Sequence, residues 1–498
     1  MSEWDYVIAG GGTAGCVLAR RLSERGQVRV LLLEAGGEYP AALSVPLVGM
    51  RRSVDFSWRY FTRQQGGLGG RRLSFPFGKV LGGSSAVNAM MFYRGTPGAY
   101  DRWEQLGCEG WNFRTMRPYF ERVERVLEVS PPRHVAPFSR AFVEACMETG
   151  MAPVDDFHAV EEGAGLFAVM QRRGRRVSAA TAYLAGARGC VEVVTRALIR
   201  RVVIEGSRAV AVEYEDSKGV VQQARAGREI LLCAGALNSP KLLMLSGIGG
   251  ADSLRELDLP VVQDLPGVGR NLQDHVRVPV LFESGRRSPG AMLNWVPAAL
   301  QYAVARRGVL TSNCCEAGAV VRSTPEATLP DLQFVTHFQS HLYPGVVDLQ
   351  FCISRTRSRG SVTLASADPK TPPVIDPNYF SDSADVKVAL AGVRLARRIA
   401  GAPALKRFPL GAEVMPGADL TADGELESYC RAMAETCYHP AGTCKMGSDP
   451  MAVVDPEFRV RGIAGLRVVD ASVFPELPNG NTCAPVYMVA ECAADLIG

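Results

Sequence analysis

The sequence lacks several features that would place it in a specialised class of protein. None of its 13 cysteines has the C-x-x-C spacing, so neither a zinc site nor a thioredoxin-like redox pair is indicated. No apolar run reaches the roughly 20 residues that cross a bilayer. The most apolar region outside the first strands, residues 291–305, is too short and contains Asn294. Without repeats or low-complexity tracts, what remains is the composition of an ordinary globular protein.

A large charge of one sign is also missing. The net charge is only +4 over 498 residues, with 21% charged and 47% hydrophobic residues. This balance indicates neither a nucleic-acid partner nor an anionic membrane. The length allows two domains. Residues 2–5 are acidic where a signal peptide would be basic, which predicts a cytoplasmic protein.

Cysteines and histidines give little sign of cross-links or metals. The number of cysteines is odd, and Cys314 and Cys315 are adjacent, so we expect reduced thiols that serve as small apolar residues. His337 and His341 have the spacing of a metal-binding pair only if the chain is helical there. The surrounding sequence indicates a strand, without a carboxylate at ligand spacing. We therefore expect these two histidines to be pocket or surface residues, and we predict no metal.

The first 37 residues contain the most informative pattern in the chain. An apolar strand over 6–9 leads into a G-x-G-x-x-G turn and a helix, and a second buried strand over 28–33 ends at an acid. This order of elements is typical of dinucleotide-binding units. A tight strand–helix turn with a surface glutamate is the alternative.

Each residue of this pattern has a physical task in a dinucleotide site. Gly10 permits the tight turn, Gly12 lets the backbone approach a pyrophosphate, and Gly15 lets helix and strand pack closely. The helix N-terminus offers unpaired N–H groups to phosphates. Glu34, 19 residues after Gly15, can accept hydrogen bonds from a ribose. The acid disfavours NADP but does not separate FAD from NAD.

The remaining sequence indicates two architectures. Short β-branched strands between 191 and 233 lead into a second strand–loop–helix unit with its helix over 241–245. Between 276 and 434 the pattern is typical of an antiparallel sheet with a covering helix. A strand at 466–470 and a helix over 484–497 again have the strand–helix pattern of the N-terminal cofactor-binding unit. The predicted fold class is α/β, with a discontinuous Rossmann-like cofactor domain plus a substrate domain of antiparallel β-sheet covered by helices.

Two further segments are less specific. A glycine-rich block over 77–88 shows only that the backbone passes close to something, since a tight structural loop would have the same composition. The helix predicted over 113–127 is heavily charged, and we expect it to be exposed.

Six ordered blocks carry a resemblance to a known family. Besides the N-terminal block they are residues 78–88, 235–249, 265–275, 438–443 and 480–482. Over essentially the whole chain they resemble the glucose–methanol–choline (GMC) oxidoreductases, flavoenzymes that oxidise alcohols, and in particular their choline dehydrogenase-like branch. The resemblance implies FAD rather than NAD as the cofactor.

The resemblance also implies a division of the chain and a set of cofactor contacts. Residues 1–150, 186–275 and 436–498 would form the FAD-binding domain, and residues 151–185 and 276–435 the substrate-binding domain. The residues implied to bind FAD are Gly10, Gly12, Thr13, Ala14, Gly15, Glu34, Gly82, Gly83, Ser84, Asn88, Val203, Ala234, Asp470, Ala471, Asn481 and Thr482.

Two positions differ from part of that family. Some members attach FAD covalently through a histidine in the 78–88 block, and the matching position here is Val87. Valine cannot form that bond, so the resemblance implies FAD held non-covalently. A second pocket residue, histidine in some relatives, matches Asn481, as in the choline-oxidising branch. The pocket then contains one histidine that can act as a base, His439, instead of two.

His439 also stands out on chemical grounds. Pro440 favours an extended backbone before it, so His439 lies on a loop. An alcohol carbon loses hydride readily only when the hydroxyl proton leaves, and a neutral imidazole with a pKa of about 6.5 can take that proton. Asn481 can hydrogen-bond the same oxygen. The alternatives are structural packing for His439 and a turn role for Asn481.

The predicted function is FAD-dependent oxidation of an alcohol to an aldehyde or ketone by hydride transfer to flavin N5, with His439 as general base and Asn481 orienting the alcohol. The alternative is a family member with non-redox or photochemical activity, such as a lyase or decarboxylase, against which the retained His439–Asn481 pair argues. The expected partners are a small alcohol and an electron acceptor, with no nucleic acid and no membrane. The lack of a signal peptide and the expected thiols favour a dehydrogenase over an oxidase. The motifs specify neither the alcohol nor the oligomeric state.

Overall fold

The structure is a computed structural model that describes residues 3–157, 161–187, 189–284, 295–337, 345–408 and 410–497. His341 and Asn294, both considered in the sequence, lie outside these residues. Among the helices in the described ranges, none has the length and apolar character needed to cross a bilayer.

Most of the 27 strands in the described residues are short, and they belong to two large sheets and several small ones. They are β1 Glu3–Ala9, β2 Val30–Glu34, β3 Ser57–Phe61, β4 Ser74–Gly78, β5 Met91–Phe92, β6 Pro153–Val154, β7 Gly163–Leu166, β8 Ala168–Val169, β9 Gln171–Arg172, β10 Arg175–Arg176, β11 Val191–Thr195, β12 Leu198–Glu205, β13 Arg208–Glu215, β14 Val221–Leu232, β15 Ile248–Gly249, β16 Gln263–Asp264, β17 Val276–Val278, β18 Leu281–Ser284, β19 Ala317–Val321, β20 Leu332–Val335, β21 Val346–Asp348, β22 Phe351–Ile353, β23 Ser361–Thr363, β24 Val374–Asp376, β25 Leu410–Met415, β26 Glu435–Thr436 and β27 Leu466–Val468.

The described residues also form 13 α-helices. They are α1 Thr13–Ser23, α2 Pro46–Arg51, α3 Pro97–Gln105, α4 Phe113–Leu127, α5 Pro137–Glu148, α6 Ala179–Ala182, α7 Gly235–Leu245, α8 Ala251–Arg255, α9 Trp295–Ala305, α10 Ser383–Ala400, α11 Pro403–Arg407, α12 Asp423–Met433 and α13 Cys483–Ile497.

The first large sheet is assembled from three separated parts of the chain. Its strand order is β11-β2-β1-β14-β13-β12, and β27 also pairs with β14. The strands β11, β2, β1 and β27 are parallel to the buried end of β14, whereas β12, β13 and the outer end of β14 form an antiparallel meander. Every residue of β2 is buried, as a parallel strand covered on both faces requires.

The helices α1 and α13 close one face of this sheet. Of the 15 residues of α13, 12 are buried, and α1 packs directly against it. The carboxylate of Glu491 is fully buried between them and accepts hydrogen bonds from Arg21 at 2.8 and 2.9 Å and from the Tyr183 hydroxyl at 2.8 Å. This pairing offsets the cost of burying the charge and connects the first and last helices of the chain.

The second large sheet has the order β26-β17-β22-β20-β19-β7-β6, antiparallel except for the β6–β7 pair. Side chains alternate between its faces. Residues such as Leu332, Phe334 and Phe351 pack on the apolar side, where α5 and α10 cover the sheet. The predicted fold class, a Rossmann-like part plus an antiparallel sheet covered by helices, is confirmed.

Several element predictions were incomplete. The helix α7 begins at Gly235 instead of 241, because the Asp470 carboxylate accepts the Gly235 N–H at 2.8 Å and secures an additional turn. The prediction that helix α4 is simply exposed was wrong. Its apolar residues recur at spacings of four and three, and the resulting buried face packs against α13; these residues are Met116, Phe120, Val123 and Leu127.

The close contact between Gly15 of α1 and the turn before the helix predicts that an alanine at this position destabilises the protein. A Cβ on Gly15 would lie 1.9 Å from the Gly10 carbonyl oxygen and 3.3 Å from Ile8. We expect Gly15→Ala to lower the free energy of unfolding by roughly 1–3 kcal/mol, because the helix must move away from β1. Urea unfolding of the purified protein measures this change.

Gly424, in the helix α12, provides a matched control because an added Cβ there would meet no atom within 4 Å. Gly424→Ala should leave stability unchanged or raise it by up to about 1 kcal/mol, since alanine favours helix. Equal stabilities of the two variants would contradict the proposed packing role of Gly15.

Candidate active site

One continuous cavity lies between the two large sheets and is lined by residues from both. The carboxyl ends of β1 and β14 contribute Gly10 and Cys233 to its wall, and the second sheet contributes Gln333 and Gln350. Open α/β sheets bind ligands at the carboxyl ends of their strands, so this is the expected location of a cofactor.

Two glycine-rich turns meet in the wall of this cavity. A Cβ on Gly83 would lie 2.7 Å from the Cα of Gly12, so the two backbones are in contact. A Cβ on Gly12 itself would approach no atom closer than 3.8 Å, and Gly12 lines the cavity at the N-terminus of α1. The turn therefore presents bare backbone and helix N–H groups to the cavity, an arrangement that suits a pyrophosphate.

Most of the residues implied to bind FAD are brought together in the cavity wall. These are Gly10, Gly12, Thr13, Ala14, Glu34, Gly83, Ser84, Asn88, Ala234, Asp470, Ala471, Asn481 and Thr482. Gly15 and Gly82 lie behind this surface, where they allow close packing and a left-handed turn with φ of +96° at Gly82. Val203 is partly buried in β12, and it is the first residues of that strand, Leu198 and Ile199, that reach the cavity.

The two acids of this set are already hydrogen-bonded within the chain. Glu34 accepts the N–H groups of Gly11 at 3.0 Å and Gly36 at 2.7 Å, and burial raises its pKa to about 7. Asp470 accepts the Ser239 hydroxyl at 2.5 Å besides the Gly235 N–H, and burial raises its pKa as well. Both carboxylates thus fix the turns that form the cavity wall.

The loop that carries His439 is held by a buried carboxylate. Asp274 accepts the His439 N–H at 2.8 Å, the Thr436 hydroxyl at 2.5 Å and the Tyr379 hydroxyl at 2.5 Å. Tyr438, between Thr436 and His439, has φ of +62° and is 49% exposed, and it lines the cavity next to His439. Such a strained conformation persists only where surrounding contacts enforce it, as Asp274 does here.

A chain of hydrogen bonds defines the protonation of the His439 ring. The Gln333 amide donates to Asn481 Oδ1 at 3.2 Å, which turns the Asn481 amide nitrogen towards His439 Nε2, also at 3.2 Å. Since that nitrogen is a donor, Nε2 is the unprotonated acceptor of the ring. The Nδ1–H of His439 then donates to His275 Nδ1 at 2.9 Å.

Burial sets the charge of this group. Burial and the neighbouring His275 hold the pKa of His439 well below its usual value. Burial also lowers the pKa of His275 to about 4 and raises that of Asp274 to about 6. At neutral pH both imidazoles are therefore uncharged and Asp274 is ionised, so Nε2 of His439 can accept a proton.

The polar face of the second sheet forms the opposite wall. This wall contains Arg277 of β17, Gln333 of β20, Cys352 of β22 and Gln350, which directly precedes β22. The other face of the sheet packs in the core. Arg277 donates to Gln350 at 2.7 Å and pairs with Glu435, which neutralises its charge. This wall is rich in hydrogen-bonding groups.

The expectation that all cysteines are reduced thiols was wrong for one pair. Cys352 and Cys437, 85 residues apart, form a disulfide in the cavity wall, two residues before His439. The remaining eleven are free, and nine of these are buried, as expected of small apolar residues. The pairing was not predictable, because Cys352 in β22 and Cys437 just after β26 come close only where these two strands flank β17 in the sheet.

Sequence reasoning also left several site residues without a role. His275 and Asp274 belong to the 265–275 block that carried the resemblance, yet nothing in that block indicated a contact with His439 164 residues away. Gln333 lies between the apolar residues Leu332 and Phe334 in a predicted strand, and this local alternation was a usable signal that its side chain lies on the other face.

The fold and the site together define a class of protein, a flavin-type oxidoreductase with a Rossmann-like cofactor sheet and a histidine-containing substrate cavity. Two family models described as GMC oxidoreductase match residues 4–277 and 356–490. The chain belongs to the GMC oxidoreductase family, as the sequence blocks predicted. It is an FAD-dependent oxidoreductase that acts on CH–OH donors.

Alignments with known proteins cover nearly the whole chain. The alcohol dehydrogenase [acceptor] of Pseudomonas putida is 40% identical, and the oxygen-dependent choline dehydrogenase of Sinorhizobium fredii is 41% identical; each alignment covers 99% of this chain and 95% of the relative. Pyridoxine 4-oxidase from Mesorbium loti has a similar structure, with a TM-score of 0.89, 30% identity and 99% coverage of both chains. These names include dehydrogenases and an oxidase, so they do not distinguish the two.

The disulfide leads to a prediction about thiol number and stability. Alkylation of the denatured, unreduced protein should label eleven cysteines, and prior reduction should raise the number to thirteen, as counted by intact-protein mass. Cys352→Ser/Cys437→Ser should lower the free energy of unfolding by roughly 4 kcal/mol, because the bond closes a long loop. Cys190→Ser, at a free and partly exposed cysteine, is the control and should change little. Thirteen labelled cysteines without reduction would contradict the disulfide.

Proposed function

We propose that this FAD-dependent oxidoreductase uses His439 as the general base and Asn481 as the residue that orients the alcohol. The observation that carries the proposal is the hydrogen-bonded chain Gln333–Asn481–His439–His275, in which Nε2 of His439 is an acceptor within the cavity. A hydroxyl group that replaces the direct bond between the Asn481 amide and Nε2 could donate to Nε2 and accept from the amide.

The residues of the cavity fit FAD. Bare backbone at Gly12 and Gly83, with the N-terminus of α1, would hold the pyrophosphate, and Glu34 would hold the ribose. When bound, FAD supplies the hydride-accepting centre. We propose that it is held without a covalent bond, because the position that carries a histidine in covalently flavinylated members is the aliphatic Val87 in the cavity wall.

His439 is suited to remove the hydroxyl proton. Its ring is neutral at neutral pH because burial and His275 lower its pKa. The Nδ1–H is donated to His275, so Nε2 is the acceptor of the ring, and its donor in this structure is the Asn481 amide. Proton removal makes the alcohol carbon a better hydride donor. Asp274 accepts the His439 backbone N–H and so fixes the loop that carries the ring. His275 and Asp274 are thus both positioning residues.

We also propose that the two large sheets belong to two domains with the predicted boundaries, 1–150, 186–275 and 436–498 for FAD and 151–185 and 276–435 for the substrate. The first sheet draws its strands from residues 3–34, 191–232 and 466–468, and the second draws all but β26 from 153–166 and 276–353. This distribution supports the division, with the site at the junction.

A non-redox or photochemical activity is not favoured. The relatives that match 99% of this chain are named alcohol dehydrogenase and choline dehydrogenase. The base and amide pair that alcohol oxidation would use is present, with three supporting contacts from Gln333, His275 and Asp274.

The role of His439 predicts a large kinetic effect. His439→Ala should slow flavin reduction by an alcohol ~10²–10⁴-fold, roughly 3–5 kcal/mol of barrier, because a positioned base is lost. Asn481→Ala should have a milder effect, since this residue orients the alcohol but takes no proton. The measurement is anaerobic stopped-flow bleaching of the flavin at saturating alcohol, with flavin content determined first.

His134→Ala is the matched control, because His134 lies outside the cavity wall. It should reduce the flavin at the wild-type rate. Wild-type bleaching by His439→Ala that is fully loaded with FAD would show that another group is the base.

Non-covalent attachment predicts a simple extraction result. Acid precipitation of the holoenzyme should leave the yellow flavin in the supernatant, because Val87 offers no atom for a bond to the ring system. Flavin retained in the washed pellet, and visible as a mass increase of the intact chain, would refute non-covalent binding.

A further inference from the structure

Arg176 is a buried cation that the proposed catalytic site does not yet use. It belongs to an arginine-rich hairpin, β9–β10, in which Arg172, Arg173 and Arg175 are exposed while Arg176 is only 2% exposed. Burial lowers the pKa of Arg176 to about 10, so its guanidinium keeps its positive charge at neutral pH. A buried charge is costly to a folded protein unless an opposite charge compensates it.

The described residues around Arg176 supply hydrogen bonds but no negative charge. Its Nη1 donates to the backbone carbonyl of Asn88 at 2.6 Å and to the side-chain Oδ1 of Asn88 at 3.0 Å. Its Nη2 has no hydrogen-bond partner in the described part of the chain. The ionisable side chains that act on its pKa are Tyr39, Cys483 and Tyr487, and burial raises the pKa of each, so all three are uncharged at neutral pH.

This uncompensated charge lies directly behind the cavity wall. Asn88, which accepts both Nη1 hydrogen bonds, lines the cavity and follows Val87, the position that carries a histidine in covalently flavinylated members. Cys483 lines the cavity as well, two residues after Asn481 of the proposed catalytic pair. Arg176 is therefore located behind the part of the wall that a flavin ring would meet.

Helix α13 adds to the positive potential of this wall. The helix has 15 residues, begins at Cys483 and has no acid in its first turn. The N-terminus of a helix carries a partial positive charge. In the opposite wall, by contrast, the guanidinium of Arg277 is paired with Glu435 and contributes little. The wall at Asn88 thus suits a group that becomes negatively charged.

We propose that the charge of Arg176 stabilises the reduced flavin ring relative to the oxidised ring and so increases the driving force for alcohol oxidation. Hydride transfer delivers two electrons and one proton, so a neutral ring gains one negative charge while the hydroxyl proton remains on the base. A unit charge acting through an effective dielectric constant of about 20 changes such an equilibrium by about tenfold or more at roughly 10 Å. The proposal rests on the placement of FAD in this cavity and not on the role of His439.

Arg176 also orients Asn88 in the wall. The Asn88 Oδ1 accepts from Arg176 and from the Met90 N–H at 2.9 Å, so it is held by two donors. The amide nitrogen of Asn88 is then the group of this side chain that remains for a contact with the cofactor. Arg176 is thus a positioning residue as well as a source of positive potential.

Two other roles for Arg176 lead to different measurable results. A purely structural clamp on the turn that ends at Asn88 would affect stability without favouring either redox state of the flavin. Compensation of the FAD pyrophosphate would strengthen the binding of both redox states equally, because the charge of the pyrophosphate is the same in both. An interaction with the ring is the one that changes the midpoint potential.

The midpoint potential of the bound FAD tests the proposal. It is measured by anaerobic reductive titration against a reference dye, and the affinity for oxidised FAD is measured separately. In Arg176→Gln the reduced flavin should be disfavoured relative to the oxidised flavin by at least about tenfold, which lowers the potential by about 30 mV for a two-electron couple. Arg176→Lys should lie closer to the wild type, because a lysine with an ordinary pKa of about 10.4 stays charged after a similar decrease.

Arg467→Gln is the matched control. Arg467 is also nearly fully buried, at 7% exposed, but it pairs with Glu229 and lies outside the cavity wall. Its replacement should leave the potential unchanged even if stability falls. If Arg176→Gln does not retain FAD, the wild type supplies the test, since its bound FAD should have a higher potential than free FAD in the same buffer.

Three results would overturn the proposal. They are a wild-type potential in Arg176→Gln, equal shifts in the glutamine and lysine variants of Arg176, and a bound FAD in the wild type whose potential does not exceed that of free FAD. A loss of affinity that is equal for oxidised and reduced FAD would assign Arg176 to the pyrophosphate instead. Because a midpoint potential is an equilibrium property, a wrong assignment of His439 as the base would leave all of these results unchanged.

Discussion

The geometry of the active site depends on one buried carboxylate. Asp274 accepts three hydrogen bonds, from a tyrosine, a threonine and the backbone of His439, and it precedes the histidine that contacts the His439 ring. Hydrogen bonds to an ionised acceptor are stronger than those between neutral groups, so these three can hold a strained loop in one conformation. The orientation of His439, the proposed base, therefore depends on the segment 265–275 as much as on the loop that carries it.

The two sheets contribute different physical properties to the cavity. The parallel sheet supplies glycine turns and helix N–H groups, which suit phosphates because they are bare and positively polarised. The antiparallel sheet supplies side chains, since one of its faces is committed to the core and the other is left for polar groups. Cofactor binding and substrate contact are thus assigned to different kinds of surface.

Sequence reasoning recovered the features that are local in the chain. The glycine turn with Glu34, the family blocks and the loop position of His439 are all encoded within short windows. The contacts that give His439 its environment are not. Gln333, His275 and Cys352 meet their partners through side-chain contacts between residues 85 to 164 positions apart, and no pattern within one segment specifies those contacts. The buried face of α4 was missed for another reason, because its many charges obscured a regular apolar spacing.

The first sheet has a consequence for the order in which the protein can assemble. Strand β27 adds to β14, and α13 covers α1 through the Glu491–Arg21 pair, so residues near 466–497 complete a unit begun by residues 3–34. During synthesis the N-terminal strands leave the ribosome more than 400 residues before these partners. Until translation is nearly finished, the face of α1 that α13 covers and the edge of β14 that β27 covers are therefore without these partners. Exposed apolar faces and unpaired strand edges favour aggregation, so the yield of active enzyme depends on what shields these two surfaces in the interval.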